Sequence, residues 1–427
     1  MKVMVFFRTI YYFFSRYTDP AERRVGKFFR RVNERMGPHQ LEKTLIALLQ
    51  QDTATINLWT EYRYKGYNYL AKGKRKELYQ NLAALHEDFA AFATSQQVDV
   101  KAEIAKIHEK GIDTARLRSY PDQLQHIILI QRYLSPHRGL YTYRASSSFG
   151  RLLRDPAKEK IEGDCNQIVT LYLSLYATKY RVTDLKLTLY PGHVALHFEG
   201  VDIETTNGTF TRYDKEGQRT APIHEIVSVN LLDTTDTNFE KTAIHPEVFL
   251  ESARLAYAVS SNRQLVKKNL EIAYHNTVSH LMKSAQYKKA FEYARQSKDQ
   301  ELIAIASYNG ALHYMRKHEF TRARDFAAYS LKKAELLRMI DHNEAAWLYN
   351  AKRYQEAIKV FERLGERQWV VNCYKALYHQ EQRALSGVKT VADIKAHAGT
   401  VRNMERYAKF SGDSQLIQHV QSLVKYL

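Results

Sequence analysis

Cys165 stands where a thiol can act as a nucleophile. The segment 162–167 leads into a helical pattern of apolar residues, which makes Asp164 the predicted N-cap and Gln167 its capping-box partner. Cys165 then takes the first helical position, where the positive end of the helix dipole favours the thiolate. A cysteine at such a place is also often only a small apolar residue, so catalysis requires a base elsewhere in the chain.

His193 is the candidate base, and Glu204 is the candidate carboxylate beside it. Residues 191–208 are typical of a β-hairpin with a two-residue turn at 199–200. In that register His193 and Glu204 lie on one face as diagonal neighbours, with their backbones about 7–8 Å apart. A glutamate side chain spans this gap, so we expect Glu204 to orient the imidazole.

Asp202 and His197 share this predicted face. Asp202 pairs with His197 and lies about 13 Å along the strand from the residue opposite His193, so we assign the orienting role to Glu204. The two histidines also have the same-face spacing of metal ligands, but no third ligand motif accompanies them. We therefore predict neither a metal site nor another cofactor.

Three motifs resemble those of bacterial transglutaminase-like domains, and the resemblance covers residues 118–235. Gly163-Asp164-Cys165 stands at a helix start, Gly192-His193-Val194 at a strand start, and residues 203–208 close the next strand. These stretches are similar to the Cys, His and acid motifs of that family. Most members have aspartate at the third position, where this chain has glutamate.

The resemblance implies a papain-like fold and a catalytic triad. Cys165 would be the nucleophile, His193 the general base and then the general acid, and Glu204 the residue that fixes the imidazole tautomer. The oxyanion hole would use the Cys165 N–H, and the sequence does not identify a second donor.

The cysteine count and the net charge indicate the compartment of the protein and the kind of partner that it binds. The chain has 427 residues, a formal net charge of +18 and two cysteines, Cys165 and Cys373. Two cysteines in different local settings exclude a disulfide framework, which favours a reducing, cytoplasmic location. The positive charge suits acidic partners, but no nucleic-acid-binding motif accompanies it. Nucleic acid or anionic lipid is therefore a less favoured partner than protein.

The first segment, Met1–Thr18, has two apolar runs that Arg8 separates. No stretch of about 20 apolar residues follows, so we predict no transmembrane segment, and the charged interruption does not suit a signal peptide. An amphipathic helix at a membrane surface is one alternative. We favour docking of this segment onto the protein's own helical region.

A repeat marks the C-terminal part of the chain. Three aromatic-x-x-Ala signatures, which begin at Tyr287, Phe320 and Tyr354, are spaced 33 and 34 residues apart. This resembles the tetratricopeptide repeat, a helix pair with a period of about 34 residues that buries its apolar face by stacking on its neighbours. A generic helical bundle is the alternative.

These patterns, together with what the two resemblances imply, predict an α+β fold class in three parts. A helical N-terminal region (1–117) and a C-terminal α-solenoid of tetratricopeptide-like repeats (246–427) flank a papain-like/transglutaminase-like central domain (118–235). The predicted function is a cysteine-dependent amide-bond enzyme, either a protease/amidase or an acyltransferase to an amine. It would act on a protein or peptide that the repeats recruit. The alternative is a catalytically inactive transglutaminase-like scaffold for protein–protein interaction.

Overall fold

The computed structural model describes residues 12, 14–33, 36, 38–145, 147–214, 216–234 and 244–427. The chain divides into two compact units, with the boundary between Asn276 and Thr277. Our prediction for Met1–Thr18 falls mainly on residues outside the described ones. The domain boundaries that we placed at residues 117, 235 and 246 stay predictions. No helix in the described ranges is both long enough and apolar enough to cross a membrane.

Helices dominate the first unit, and several begin at acidic caps that the sequence supplies. Asp19 accepts a hydrogen bond from the Glu22 amide, and Asp99 accepts one from the Ala102 amide. Such side chains satisfy amides that have no partner within the helix. The α-helices that begin in this unit are α1 (Pro20–Arg31), α2 (Pro38–Thr60), α3 (Lys72–Ser95), α4 (Val100–Glu109), α5 (Pro121–Leu134), α6 (Cys165–Tyr176), α7 (Glu225–Leu232), α8 (Pro246–Val259) and α9 (Arg263–Lys283). Shorter helical turns cover Glu61–Lys65, Leu117–Ser119, Pro136–Arg138, Phe149–Arg151 and Val182–Asp184.

The strands of the first unit form two sheets. Their bounds are β1 (Tyr141–Tyr143), β2 (Ile161–Gly163), β3 (Lys186–Tyr190), β4 (His193–Phe198), β5 (Val201–Glu204), β6 (Thr209–Thr211) and β7 (Arg219–Pro222). Strands β1 and β2 pair in parallel, and the other described strands form an antiparallel sheet in the order β6-β5-β4-β3-β7. The predicted β4–β5 turn is confirmed, because Phe198 pairs with Val201 and the turn residues Glu199 and Gly200 have φ values of 47° and 92°. Two-residue hairpin turns favour such positive φ angles.

The predicted fold class is wrong. We expected an α+β chain with a papain-like/transglutaminase-like central domain, but helices make up 68% of the structure and strands only 7%. One hydrophobic core joins buried residues from Tyr17 to Val259, so the sheet is a small part of a mainly helical unit. The hairpin pattern of residues 191–208 reveals local strands, but it does not show how many helices pack around them.

Helix α6 lies in the middle of this core and positions Cys165. Every residue from Asn166 to Tyr176 is buried, and the helix contacts α2, α5, α7 and β4. A helix that is buried on all sides cannot rotate or slide without disrupting packing in several directions. The thiol at its N-terminus is therefore held in a fixed place.

The second unit consists of helices in its described residues. Tyr287, Phe320 and Tyr354, the aromatic residues of the three predicted repeat signatures, each begin a helix. Ala290, Ala323 and Ala357 are completely buried, so a small side chain recurs where neighbouring helices approach closely. The helices are α10 (Tyr287–Ser297), α11 (Gln300–Arg316), α12 (Phe320–Ala327), α13 (Lys333–Asn350), α14 (Tyr354–Leu364), α15 (Arg367–Ala384), α16 (Val391–Ala396), α17 (Ala398–Ser411) and α18 (Ser414–Val424).

Replacement of Ala323 by leucine is expected to destabilise the second unit. Ala323 has no exposed surface and packs with Phe320 and Ile340, so three additional carbon atoms overpack the helix contact and cost about 1–3 kcal/mol. Urea denaturation of the full chain measures the change. Thr321→Leu, at an exposed position of the same helix, is the control and should change the free energy of unfolding by about 0.5 kcal/mol or less. Equal effects of the two variants would contradict the repeat packing.

Candidate active site

The start of helix α6 presents Cys165 to a cavity. The predicted capping box is confirmed: the Asp164 carboxylate accepts from the Gln167 amide at 3.4 Å, and the Gln167 side-chain oxygen accepts from the Asp164 amide at 3.2 Å. Cys165 is half-buried and lines a cavity of about 600 Å³ together with His193. The first amides of a helix have no partner within it, so the Cys165 N–H can serve an incoming oxyanion.

His193 and Glu204 form a close pair across the hairpin. The His193 Nε2 atom lies 2.7 Å from the Glu204 Oε2 atom. Because Leu196 pairs with Ile203, Glu204 lies diagonally across from His193, in the predicted register. Cys165 lines the same cavity as His193 and raises the pKa of its ring, and Nδ1 is the ring nitrogen that Glu204 leaves free. The structure thus places the three predicted residues together, and their catalytic roles stay a prediction.

The Glu204 carboxylate accepts hydrogen bonds from two further residues. Its Oε1 atom accepts from the backbone amide of Thr206 at 2.9 Å and from the Thr206 hydroxyl, and its Oε2 atom accepts from the Tyr213 hydroxyl. The carboxylate is almost fully buried, at 10% exposure, so these donors replace the water that it loses. Tyr213 carries no sequence signal for this role, because it lies in the loop between β6 and β7, where no periodic pattern ties it to the site.

Charges and hydrogen bonds raise the pKa of His193 and lower the pKa of Glu204. Burial alone would lower the pKa of His193, but the hydrogen bonds to Cys165 and Glu204 outweigh it and raise the pKa to about 9. Burial alone would raise the pKa of Glu204, but the hydrogen bonds from His193, Thr206 and Tyr213 lower it to about 2. At neutral pH the site therefore holds an imidazolium beside a carboxylate.

Two tyrosine rings pack around the imidazole. The ring centroids of Tyr190 and His193 are 4.8 Å apart, and those of Tyr213 and His193 are 6.2 Å apart. Only 17% of the His193 side chain is exposed. These rings limit rotation of the imidazole and keep water away from the face that they cover.

A second histidine–carboxylate pair, His197 and Asp202, holds the backbone of Tyr213 in place beside the first pair. The Asp202 Oδ1 atom lies 2.8 Å from His197 Nδ1 and accepts from the Thr188 hydroxyl, and its Oδ2 atom accepts from the Tyr213 amide at 3.0 Å. Asp202 thereby holds the residue whose hydroxyl reaches Glu204. His193 and His197 each face their own carboxylate. No group of three or more His, Cys, Asp or Glu side chains that could hold a metal ion is found among the described residues.

A polar network behind the thiol ties the helix start to α7. The Asn166 side-chain amide donates to Asn230 Oδ1 and to Asp233 Oδ2, each at 3.0 Å. Asn230 in turn donates to the Thr170 hydroxyl at 3.1 Å. The partners are separated by 60 or more positions in the sequence, so no local signal could have revealed them.

Cys373 provides a contrast with Cys165 within the same chain. It is completely buried in helix α15, and burial raises the pKa of its thiol to about 11. A thiol in that environment stays protonated and inert at neutral pH. Cys165 is therefore the cysteine with the surroundings of a nucleophile.

No family model matches the chain, and no curated protein matches it. Among solved structures, a crystal structure of menin that reveals the binding site for the Mixed Lineage Leukemia (MLL) protein is similar to it. The two sequences are 12% identical, and the similarity covers 90% of this chain and 96% of that chain with a TM-score of 0.33. That TM-score is too low to support an argument about the fold, function or partners of this chain.

Glu204→Gln is expected to lower stability most in mildly acidic solution. The pKa of His193 is raised from 6.5 to about 9, so its stabilising contribution is complete below pH 6.5 and is lost as the pH rises through 9. The pKa of Glu204 is lowered from 4.5 to about 2, so its contribution is complete above pH 4.5 and is lost as the pH falls through 2. The pair therefore stabilises the fold most between pH 4.5 and 6.5.

Urea denaturation at pH 5.5 and pH 9.5 measures this effect. We expect Glu204→Gln to cost on the order of 2 kcal/mol at the lower pH and clearly less at the higher pH. Glu109→Gln, which changes an exposed carboxylate at the end of α4, is the control and should show no such difference. A cost that does not depend on pH would contradict the ion pair.

Proposed function

We propose that the chain is a cysteine-dependent enzyme that acts on an amide bond through a thioester at Cys165. The observation that carries the proposal is that Cys165 and His193 line one open cavity and that the Glu204 carboxylate lies 2.7 Å from the His193 ring. A nucleophile, a base within hydrogen-bonding distance and a third group that orients the base are the parts that such chemistry requires. The motif resemblance to bacterial transglutaminase-like domains supports the same chemistry.

The reaction has two balanced steps. The Cys165 thiolate attacks the amide carbonyl carbon, and the His193 imidazolium gives its Nδ1 proton to the leaving nitrogen as the carbon–nitrogen bond breaks. The resulting thioester then reacts with water or an amine, from which neutral His193 takes a proton, and Cys165 leaves as thiolate. Glu204 holds the imidazole in one tautomer and stabilises its protonated form throughout.

Tyr143 is the candidate for the second oxyanion donor. Its side chain is half-exposed and lines the same cavity as Cys165. Burial and the nearby charge of Cys165 raise the pKa of its phenol, so the hydroxyl keeps its proton at neutral pH. Together with the Cys165 N–H it would supply two donors to the tetrahedral intermediate.

The helical repeats are assigned to recruitment of a protein or peptide substrate. They carry large apolar side chains that are well exposed: Ile305, Tyr329, Leu331 and Trp369. Exposed apolar and aromatic groups of this kind favour protein contacts. A free nucleophilic thiol also functions best in a reducing compartment, which supports the cytoplasm as the site of action.

Alkylation of Cys165 by iodoacetamide, followed by site-resolved mass spectrometry between pH 5.5 and 9, tests the proposal. A free thiol has a pKa of about 8.5 and holds less than about 1% thiolate at pH 6. Because the neighbouring His193 stays protonated up to about pH 9, we expect labelling to remain fast at pH 6. His193→Ala should slow it about tenfold or more at that pH, and Glu204→Gln should have a smaller effect.

His137→Ala is the matched control, because it removes an exposed histidine outside the cavity and should leave the labelling rate unchanged. The result that contradicts the enzyme is a Cys165 that labels like an ordinary thiol in all the proteins. In that case the scaffold alternative gains support, and partner capture through the repeats becomes the next experiment.

A further inference from the structure

Strand β7 lies at an edge of the five-stranded sheet. It pairs with β3, and no described strand pairs with its other side. Such an edge offers unpaired backbone groups to an added strand. Three of the four β7 residues are exposed, so the edge is open to solvent among the described residues.

The position of Pro222 shows which backbone groups of β7 face outward. Pro222 pairs with Lys186, and proline has no N–H to give to the ladder, so it belongs to a pair without mutual hydrogen bonds. Bonded and non-bonded pairs alternate in an antiparallel ladder. Arg219 and Ala221 therefore bond to β3, and the N–H and C=O groups of Thr220 point away from the sheet.

This edge borders a groove that leads to Cys165. A cavity of about 470 Å³ lies between β7 and residues 261–265. It shares Gly217, Arg219, Glu225 and Leu265 with the cavity that Cys165 lines. A chain bound along β7 can thus run into the candidate active site.

Arg219 is the arginine of the groove that a ligand can reach. The acidic lining residues are Asp164, Glu225 and Asp233. Each of these carboxylates already accepts a hydrogen bond from within the protein. Arg219 is exposed, lines both cavities and has no ion-pair partner among the described residues. Its guanidinium is therefore available to a carboxylate of the ligand.

We infer that the substrate binds as an extended peptide that adds a strand at the outer edge of β7 and pairs an acidic side chain with Arg219. Backbone bonds to Thr220 give affinity for an extended chain, and the Arg219 contact selects its charge. Residues before or after the acidic one then enter the cavity that holds Cys165. This inference names a substrate class for the proposed enzyme and rests on that proposal.

Peptidyl vinyl sulfones test the inference, because they trap a thiolate and carry a chosen peptide. The Cys165 sulfur adds to the terminal vinyl carbon, and the neighbouring carbon takes up a proton. The first set of probes consists of four-residue acetyl peptides of threonine and alanine in which one glutamate takes each position in turn. The second set has lysine in place of the glutamate. The reference probe is an acetyl-alanine electrophile that lacks the peptide. Mass spectrometry gives the second-order rate constant of Cys165 labelling by each probe.

We expect one or more glutamate probes to label Cys165 about fivefold faster than the matched lysine probe and the acetyl-alanine probe. Arg219→Glu should reverse that order, whereas Arg181→Glu, an exposed arginine that lines neither cavity, should not. Thr220→Pro should slow the peptide probes about three- to tenfold through loss of one N–H. Thr220→Ala keeps that N–H, so it should slow the peptide probes less than Thr220→Pro does, and thermal melting shows that each variant folds.

The two proposals fail in different ways. Two results would overturn the groove inference: the peptide probes label Cys165 no faster than the acetyl-alanine probe, or their advantage persists in Arg219→Glu and Thr220→Pro. The proposed enzyme stands in either case if the acetyl-alanine probe labels Cys165 rapidly in a His193-dependent manner. If no probe shows His193-dependent labelling, the proposed function fails, and the inference that rests on it fails too.

Discussion

The burial of one carboxylate, that of Glu204, organises the site. A carboxylate that loses water must receive hydrogen bonds from the protein or become protonated. Here His193, Thr206 and Tyr213 supply them, so the imidazole, the end of the β4–β5 hairpin and the β6–β7 loop all converge on the same two oxygens. Asp202 extends the arrangement by fixing the Tyr213 backbone. The orientation of His193 is thus the result of a satisfied polar network rather than of a single contact.

The position of Cys165 depends on a different part of the structure. Cys165 is placed by a helix that is buried throughout its length, and the Asn166–Asn230–Asp233 network fixes the start of that helix against α7. The sheet supplies His193 and the helical core supplies Cys165. Their meeting at one cavity requires that both pack into the same hydrophobic core, which joins Tyr17 to Val259. The residues of the helical N-terminal region are therefore part of the framework that holds the site.

Helix packing in the second unit depends on small side chains that recur along the chain. Its helices approach closely where Ala290, Ala323 and Ala357 recur, because an alanine leaves room for the neighbouring helix. Each repeat contacts its neighbours in the chain, so its geometry is encoded in sequence that lies nearby. This local encoding explains why the period was visible in the sequence, whereas the arrangement of the first unit was not.

The sequence by itself determined the features that form between residues close in the chain: the capping box before Cys165, the two-residue turn at 199–200 and the diagonal placement of His193 and Glu204. Each follows from backbone geometry over a few residues, so spacing was enough. The tertiary structure decided the rest, including the mainly helical fold, the hydrogen bond from Tyr213 and the groove beside β7. Those depend on packing between segments far apart in the chain, and such packing leaves no periodic signal in a single sequence.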